Sequence, residues 1–329
     1  MLYPFKFDNI YQVMPWAGRE LALFRHNLPD GIVGESWDIA CHQEGTNAVT
    51  NGAHSGKTLA ELISILGKRM LGSRLPEQTF PIMVRLICSN EKTSVQVHPT
   101  NDFARARGIP VGKTEAWYVM EAFNDTFVYI GARDCTAEQF RNAVHDGSVE
   151  KYLNKLNVKK GDLLYIPSGQ VHALGPGLLV VEIGQNANTT YRLFDYNRGR
   201  RLDIDDAMGV IDLSIPPRFS TSIDIQKDGY SENILCISEF FACVRYEIRT
   251  ICHECSDPER FHTLTCVEGH GLLEYDGGYE FFHCGESVLI PACLGEYSLK
   301  GKLKLLKAYV PNLDFEQDRI LRTVRCSNK

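Results

Sequence analysis

Residues 161–175, GDLLYIPSGQVHALG, predict two short strands joined by a tight turn. The apolar residues before the turn predict the first strand, and those after it predict the second. Pro167 and Gly169 supply the turn chemistry, because proline restricts φ and glycine tolerates positive φ. A lone histidine in such a strand, here His172, is usually a core residue bonded to backbone. His172 is distinguished by the spacing of the residues before it: five residues separate Gly161 from Pro167, one separates Pro167 from Gly169, and two separate Gly169 from His172.

That spacing resembles the second half of the cupin signature, in which the histidine projects into a small β-barrel and binds a metal ion. The resemblance predicts further ligands upstream. Gln96 and His98 lie two residues apart in SVQVHP, and therefore on one face of a predicted strand. Glu115 opens the next strand and can supply a carboxylate. Imidazole with oxygen donors suits zinc, iron or manganese. In isolation, Gln96 and Glu115 would fit exposed strand positions almost equally well.

The composition favours a soluble protein with a substantial core. The chain has 329 residues, of which 44% are hydrophobic and 23% charged, and its formal net charge is −6. Since no basic block is present, a nucleic-acid partner is not expected. No apolar run is long enough to span a membrane, and the first residues lack the pattern of a secretion signal.

The 11 cysteines are scattered, and many stand in apolar contexts. This pattern favours reduced, buried thiols and a cytoplasmic location. Cys252 and Cys255 form a C-x-x-C pair. We interpret it as structural, because one such pair is weak evidence for zinc or redox chemistry.

Two regions of the first half predict helices, near residues 58–71 and 136–157. Both begin with a capping-box pattern, in which Thr58 or Thr136 is followed three residues later by Glu or Gln. Gly147 is expected to break the second region into two helices. Most other segments predict short strands, so the fold class is mainly β.

Pro216 and Pro217 predict a boundary between two domains. We expect a metal-binding cupin domain over residues 1–215, carrying the helical insertion, and a second cupin-like β domain over 216–329. The predicted architecture is therefore two jelly-roll barrels, a bicupin.

The second half echoes the signature of the first. Gly285 and Pro291 repeat its opening, but Cys293 stands where Gly169 stood and Glu296 where His172 stood. We therefore expect a related barrel without a metal site. Three histidines of this half are expected to be structural or exposed: His262, His270 and His283.

Four motifs occur in order along the chain: SVQVHP, GKTEAWYVM, GDLLYIPSGQVHALG and TTYRLFDYNR. With GESWDIA and GKTLAEL, they resemble the type I mannose-6-phosphate isomerase family in its short bacterial form. The resemblance implies a zinc ion, one per chain, although another divalent metal would also suit the donors. By matching motif its ligands are Gln96, His98, Glu115 and His172.

The same resemblance implies interconversion of mannose 6-phosphate and fructose 6-phosphate through an enediol. The family's active-site lysine matches Lys113, its essential arginine matches Arg192, and the serine before the glutamine matches Ser94. All three are expected to contact substrate, and Lys113 and Arg192 to act in catalysis. Without the family, Lys113 would be interpreted as a surface lysine, and Arg192 as the ion-pair partner of Asp195 or another acid.

One position departs from the family pattern. Bacterial relatives tend to carry aspartate four residues before the arginine, and here Asn188 stands there. An amide cannot act as a general base. One alternative therefore stays open, a cupin isomerase acting on a different sugar or sugar phosphate. A second alternative, independent of Asn188, is a metal-bound sugar-binding protein without turnover. The proton-transfer base, the oligomeric state and the pathway are not assigned from the sequence.

Overall fold

A computed structural model describes residues 2–76, 79–124, 126–220 and 222–327, with side chains as far as residue 322. The strands, in chain order, are β1 (Phe5–Lys6), β2 (Ile10–Gln12), β3 (Glu35–Ile39), β4 (Cys41–His42), β5 (Gly45–Thr46), β6 (Ile82–Ser89), β7 (Val95–Val97), β8 (Glu115–Ala122), β9 (Phe127–Ala132), β10 (Leu153–Asn157), β11 (Leu163–Ile166), β12 (His172–Leu174), β13 (Leu178–Gln185), β14 (Tyr191–Phe194), β15 (Ile223–Gln226), β16 (Tyr230–Ile237), β17 (Ala242–Ile248), β18 (Ile251–Cys255), β19 (His262–Tyr275), β20 (Gly278–His283), β21 (Ser287–Ile290) and β22 (Glu296–Tyr309).

The helices are α1 (Leu59–Leu66), α2 (Lys68–Leu71), α3 (Asn101–Ala106), α4 (Ala137–Asp146), α5 (Ile204–Val210) and α6 (Leu313–Ser327). The fold is mainly β, as predicted. The opening segment forms β11, a turn and β12. Gly169, in that turn, has a positive φ of 86°, and Gly161, just before β11, has a positive φ of 94°.

The chain forms two compact units that are discontinuous in sequence. One contains residues 1–10, 37–84 and 221–329, and the other contains residues 11–36 and 85–220. The second of these, which we call the site unit, ends a few residues beyond the predicted boundary. A division into contiguous domains at residue 215 stays a prediction.

Two sheets build the site unit. One has the strand order β10-β9-β12-β7-β14, and the other begins β11-β8-β13 and continues through β6, β3 and β2, where the chain passes between the units. Apolar side chains from β8, β11 and β13 pack with others from β9 and β12. Trp117, Ile130 and Leu164 belong to this cluster. The inner faces of the two sheets therefore enclose a core.

Helices cover the outer face of the five-stranded sheet. Val95 and Val97 of β7 pack there with Phe140 of α4 and Ala207 of α5. Because successive residues of a strand face opposite sides, the polar residues of β7 must then face inward. The polar face of the segment SVQVH therefore points to the interior and not to solvent.

The other unit contains the nine-stranded sheet, whose order is β1-β21-β19-β22-β17-β16-β15, with β18 on β22 and β20 on β19. Its long strands are β19 and β22, of 14 residues each. Helices α1 and α2 belong to this unit. The backbone N–H groups of Phe261 and Ala292 donate to the carbonyls of Leu71 and Met70 at its end.

Both predicted capping boxes are present. Thr58 and Glu61 exchange side-chain and backbone hydrogen bonds at the start of α1, and Thr136 and Gln139 do so at the start of α4. Gly67, with φ of 51°, separates α1 from α2. The segment at 58–71 is therefore two short helices.

The prediction of helix over 136–157 is wrong beyond Tyr152. Gly147 ends α4 in the left-handed conformation, and a 3₁₀ turn over Val149–Tyr152 follows. Leu153–Asn157 is then strand β10, antiparallel to β9. The backbone groups of this segment find partners in the ladder of β9, and long-range pairing of this kind overrides a local helical pattern.

Candidate active site

Three of the predicted site residues stand in a row across the inner face of the five-stranded sheet. Gln96 of β7 is the direct partner of His172 on β12 and of Arg192 on β14. Direct partners in an antiparallel sheet project to the same face. Gln96 Nε2 lies 3.3 Å from His172 Nε2. The pairing register thus brings together residues that are 96 positions apart in sequence at most.

His98 and Glu115 complete a buried cluster with His172. A ligand atom from each of the three lies within 4.8 Å of the others. Glu115 Oε2 is 3.4 Å from His98 Nε2, and its Oε1 is 3.6 Å from His172 Nε2. All three side chains are at most 1% exposed. The structure therefore places Gln96 beside a compact N, N, O donor set.

Backbone carbonyls orient both imidazoles. His98 Nδ1 donates to the Thr189 carbonyl at 2.9 Å, and His172 Nδ1 donates to the Gln170 carbonyl at 2.8 Å. Since a carbonyl only accepts, each Nδ1 carries the proton and each Nε2 keeps a lone pair, which at His172 accepts from Gln96 Nε2 at 3.3 Å. Burial lowers the pKa of both rings, and with the nearby Lys113 it lowers that of His98 to about 3. Both are neutral donors near pH 7.

Glu115 is ionised for the opposite reason. Burial alone would raise the pKa of its carboxyl, but the nearby Lys113 ammonium holds the pKa well below its ordinary range. Its two oxygens and His98 Nε2 are buried and take part in no well-aligned hydrogen bond with the described residues. Polar atoms in this state usually have a further partner.

These donors fit a divalent metal ion. Two donors held about 2.1 Å from one tetrahedral ion are themselves about 3.4 Å apart, close to the separations between Glu115 and the two imidazoles. The amide oxygen of Gln96 accepts from Ser94 Oγ at 3.0 Å. The hydroxyl of Ser94 can also accept, so a rotated Gln96 amide could present its oxygen to an ion while donating to Ser94.

Lys113 is buried among the acids of the site. It is 1% exposed, with Nζ 2.7 Å from Glu115 Oε2 and 3.0 Å from Glu182 Oε1. The interpretation of Lys113 as a surface lysine is therefore wrong. Its ammonium group holds two carboxylates together within the core.

Arg192 is half-buried and forms no ion pair with any residue that the structure describes. Its Nη1 donates to the Arg201 carbonyl at 3.0 Å. Burial and the nearby Arg200 lower the pKa of its guanidinium. Asp195, the partner considered from the sequence, pairs instead with Arg200 and Arg198.

A second group of charges extends the site, and the sequence reasoning missed it. Arg85 Nη1 lies 2.9 Å from Glu35 Oε2, and its Nη2 lies 2.7 Å from Glu182 Oε1. Burial raises the pKa of Glu182 despite the nearby Arg85, whereas Glu182 and Glu35 raise that of Arg85 against its burial. One feature of the sequence could have identified these residues: Arg85 and Glu182 are single charges within otherwise apolar predicted strands, PIMVRLIC and GLLVVEI.

Asn188 lies on this group of charges. Its side-chain oxygen accepts from Arg85 Nη1 at 3.0 Å. Three carboxylates (Glu35, Glu115 and Glu182) face two cations (Arg85 and Lys113) in this region. The ionised Glu115 among them would favour a divalent cation.

The corresponding positions of the second half do not form such a cluster in the described chain. Cys293 and Glu296 are exposed, as are His270 and His283, while His262 is buried. Cys252 is buried and Cys255 exposed, because three residues along a strand reverse the face.

Among the residues that the structure describes, no helix is both long enough and apolar enough to cross a membrane.

Comparison with known proteins identifies the family of the chain. A family model described as "Phosphomannose isomerase type I, catalytic domain" matches residues 5–122, and one described as "Mannose-6-phosphate isomerase, cupin domain" matches residues 231–310. The protein named "Mannose-6-phosphate isomerase ManA" of Bacillus subtilis (strain 168) is 31% identical over 316 residues, covering 93% of this chain and 99% of that protein.

Two further similarities span nearly the whole chain. The "Mannose-6-phosphate isomerase" of Streptococcus mutans is 28% identical over 302 residues, covering 89% of this chain and 94% of its own length. The crystal structure of mannose 6-phosphate isomerase from Bacillus subtilis matches with a TM-score of 0.87 and 27% identity, covering 93% and 99% of the two chains. This chain therefore belongs to the type I mannose-6-phosphate isomerase family.

Proposed function

We propose that this protein is a metal-dependent aldose–ketose isomerase that interconverts mannose 6-phosphate and fructose 6-phosphate. The observation that carries the proposal is the buried cluster of His98, Glu115 and His172, with Lys113 in contact with Glu115. Its membership of the family supplies the substrate class, a small sugar phosphate. Zinc is the expected ion, at about one per chain.

The residues that would hold the ion are Gln96, His98, Glu115 and His172. A bound divalent ion would supply electrostatic stabilisation for the oxyanion that develops when a proton moves between neighbouring carbons. The hydrogen bonds from the two Nδ1 atoms to backbone carbonyls fix the tautomer in which each Nε2 is free of a proton and can bind a metal ion.

Lys113 and Arg192 provide cationic groups for the substrate. The Lys113 ammonium lies inside the low-dielectric site, where a charge aimed at a developing oxyanion has its greatest effect. Arg192 offers a planar fork that suits phosphate or enediolate oxygens. Ser94 is expected to contact substrate beside Gln96.

Glu182 has a positioning role in this proposal. It accepts from Arg85 and, at 3.2 Å, from Trp117 Nε1, and it also contacts Lys113. These donors engage both of its oxygens, so the carboxylate holds Lys113 against Glu115 and is a poor candidate for the proton-transfer base.

The proposed architecture is a bicupin, with a metal-binding jelly-roll barrel in residues 1–215 and a second barrel without a metal site in 216–329. The family model for a cupin domain over residues 231–310 supports the second barrel. The helical segments of the first half would be its insertion. A cytoplasmic location is proposed from the free cysteines.

Asn188 favours one alternative, an isomerase for a different sugar phosphate. At this position an amide accepts from Arg85, where bacterial relatives tend to carry a carboxylate. A panel of aldose 6-phosphates, compared by kcat/KM, separates the two substrate assignments.

The main test measures metal content and turnover together. Purified protein should carry about one divalent ion per chain, convert mannose 6-phosphate to fructose 6-phosphate in a coupled assay, and lose activity with a chelator. His98→Ala should abolish turnover and remove most of the metal, with circular dichroism to check folding. Absence of turnover by metal-loaded protein would refute the proposal and favour a sugar-binding protein. Unchanged metal content in His98→Ala would refute the ligand assignment.

A further inference from the structure

The segment at residues 195–203 follows strand β14 and folds back onto Arg192 of that strand. Asp203 donates its backbone N–H to the Arg192 carbonyl at 2.7 Å, and the Arg192 N–H donates to Asp203 Oδ2 at 3.3 Å. Within the segment, the Arg201 carbonyl accepts from Arg192 Nη1 at 3.0 Å. The direction of the Arg192 guanidinium therefore depends on where the segment holds the Arg201 carbonyl.

The segment begins with a turn that needs a restraint. Tyr196 and Asn197 have φ of 53° and 58°, so two successive non-glycine residues occupy the left-handed region. Such conformations are sparsely populated and persist only where surrounding contacts impose them. Tyr196 Oη is held by Glu150 Oε1 at 2.6 Å.

The main restraint is an ion pair across the turn between the buried Asp195 and the partly exposed Arg200. Asp195, at the end of β14, is 3% exposed. Arg200 Nε donates to its Oδ2 at 2.7 Å, and Arg200 Nη2 donates to its Oδ1 at 2.5 Å. A two-point fork of this kind fixes orientation as well as distance. It joins the strand to the residue just before Arg201.

We propose that Asp195 and Arg200 are positioning residues for Arg192. By engaging both oxygens of Asp195, with Arg198 Nη1 a weaker partner at 3.5 Å, Arg200 keeps that carboxylate from pairing with Arg192. By fixing the turn, it also sets the Arg201 carbonyl that orients Arg192 Nη1. Arg192 Nε is buried and forms no hydrogen bond within the described chain, which leaves it available to an anionic oxygen. The kinetic part of this inference rests on the proposed function, since it assumes that Arg192 contacts the sugar phosphate.

The kinetic test is a double-mutant cycle of Arg200→Met and Arg192→Met. At wild-type metal content, Arg200→Met should lower kcat/KM about 10- to 100-fold, within the range of couplings between residues in contact. In the Arg192→Met background, adding Arg200→Met should change kcat/KM less than about twofold. Arg200→Lys, which keeps the charge but not the fork, should fall between Arg200→Met and the wild type.

The matched control is Arg141→Met, which removes an exposed arginine paired with Asp205 at 3.0 Å and should retain wild-type kinetics. Arg200→Met within twofold of wild type would overturn the inference. Losses that multiply in the double variant would also overturn it, because they would mean that Arg200 acts independently of Arg192.

A second readout does not depend on turnover. Amide hydrogen exchange of residues 196–203, with the bonded N–H of Asp203 as marker, should be at least about tenfold faster in Arg200→Met than in wild type or Arg141→Met. Unchanged exchange would overturn the positioning role. If wild-type protein shows no isomerase turnover, the proposed function fails, and the exchange measurement still decides whether Arg200 holds the segment.

Discussion

Replacing Lys113 by methionine removes one charge from the centre of the site and little volume. The Nζ atom lies 2.7 Å from Glu115 Oε2 and 3.0 Å from Glu182 Oε1, in a side chain that is 1% exposed. We expect kcat to fall about 10²- to 10³-fold, the effect of removing one preorganised donor from a closed site.

The effect on stability should depend on the metal. Without it, the carboxylates of Glu115 and Glu182 lose their shared cation, and the free energy of unfolding should fall by about 3–5 kcal/mol. With the ion bound, the loss should be smaller, because a divalent charge beside Glu115 replaces part of the lost attraction. Metal content should stay near one ion per chain, since Glu115 loses a cation that competes with the ion.

Three measurements check this prediction: a coupled assay for fructose 6-phosphate, metal analysis, and urea unfolding with and without chelator. Lys160→Met is the control, because Lys160 is 46% exposed and pairs with Glu121 on the surface. It should retain full activity and change stability by less than about 0.5 kcal/mol. A Lys113→Met protein that keeps roughly a third of wild-type kcat at full metal loading would refute the electrostatic role. Loss of the metal would instead mean that Lys113 shapes the ligand cluster.

Other substitutions test the fold and the buried charges. Gly72→Ala should destabilise the protein by more than about 3 kcal/mol, because the new Cβ would lie 2.2 Å from the Glu259 backbone. Gly56→Ala should cost only about 1–2 kcal/mol, because that position has φ of 87° but open space around it. Equal losses of the two variants in urea unfolding would contradict this prediction. Burial, with nearby cations, lowers the pKa of His262 well below its ordinary range, so its neutral form stabilises the fold above about pH 6.5 and that contribution is lost as pH falls. The stability lost in His262→Gln should therefore shrink between pH 7.5 and pH 5, and a constant difference would contradict the sign. Arg85→Met should lower the free energy of unfolding by about 3–5 kcal/mol, because it strands two buried carboxylates; a neutral change would show that the group is not stabilised by charge pairing.

Local patterns predicted local structure where the relevant contacts are themselves local. The capping boxes at Thr58 and Thr136 form, because each joins residues three positions apart. The same reasoning failed at 153–157, where a strand replaces the expected helix. Its partner is β9, more than 20 residues upstream, and no local pattern identifies that pairing.

The sequence by itself was enough to indicate the protein family from its motifs, to predict the turn at Pro167 to Gly169, and to identify residue types able to bind a metal. These follow from backbone restrictions and donor chemistry, which belong to single residues and short spacings. It could not decide whether Lys113 was exposed, or whether Arg192 would form an ion pair with Asp195.

Only the tertiary structure decided which face of SVQVH is interior and which distant charges complete the site. Helices packed on Val95 and Val97 turn Gln96 and His98 inward, and strand register sets Gln96 between His172 and Arg192. Arg85 and Glu182 join Lys113 for the same reason, since burial and proximity arise from packing between segments far apart in the chain. His172 is thus placed by its neighbours in a buried cluster with His98 and Glu115.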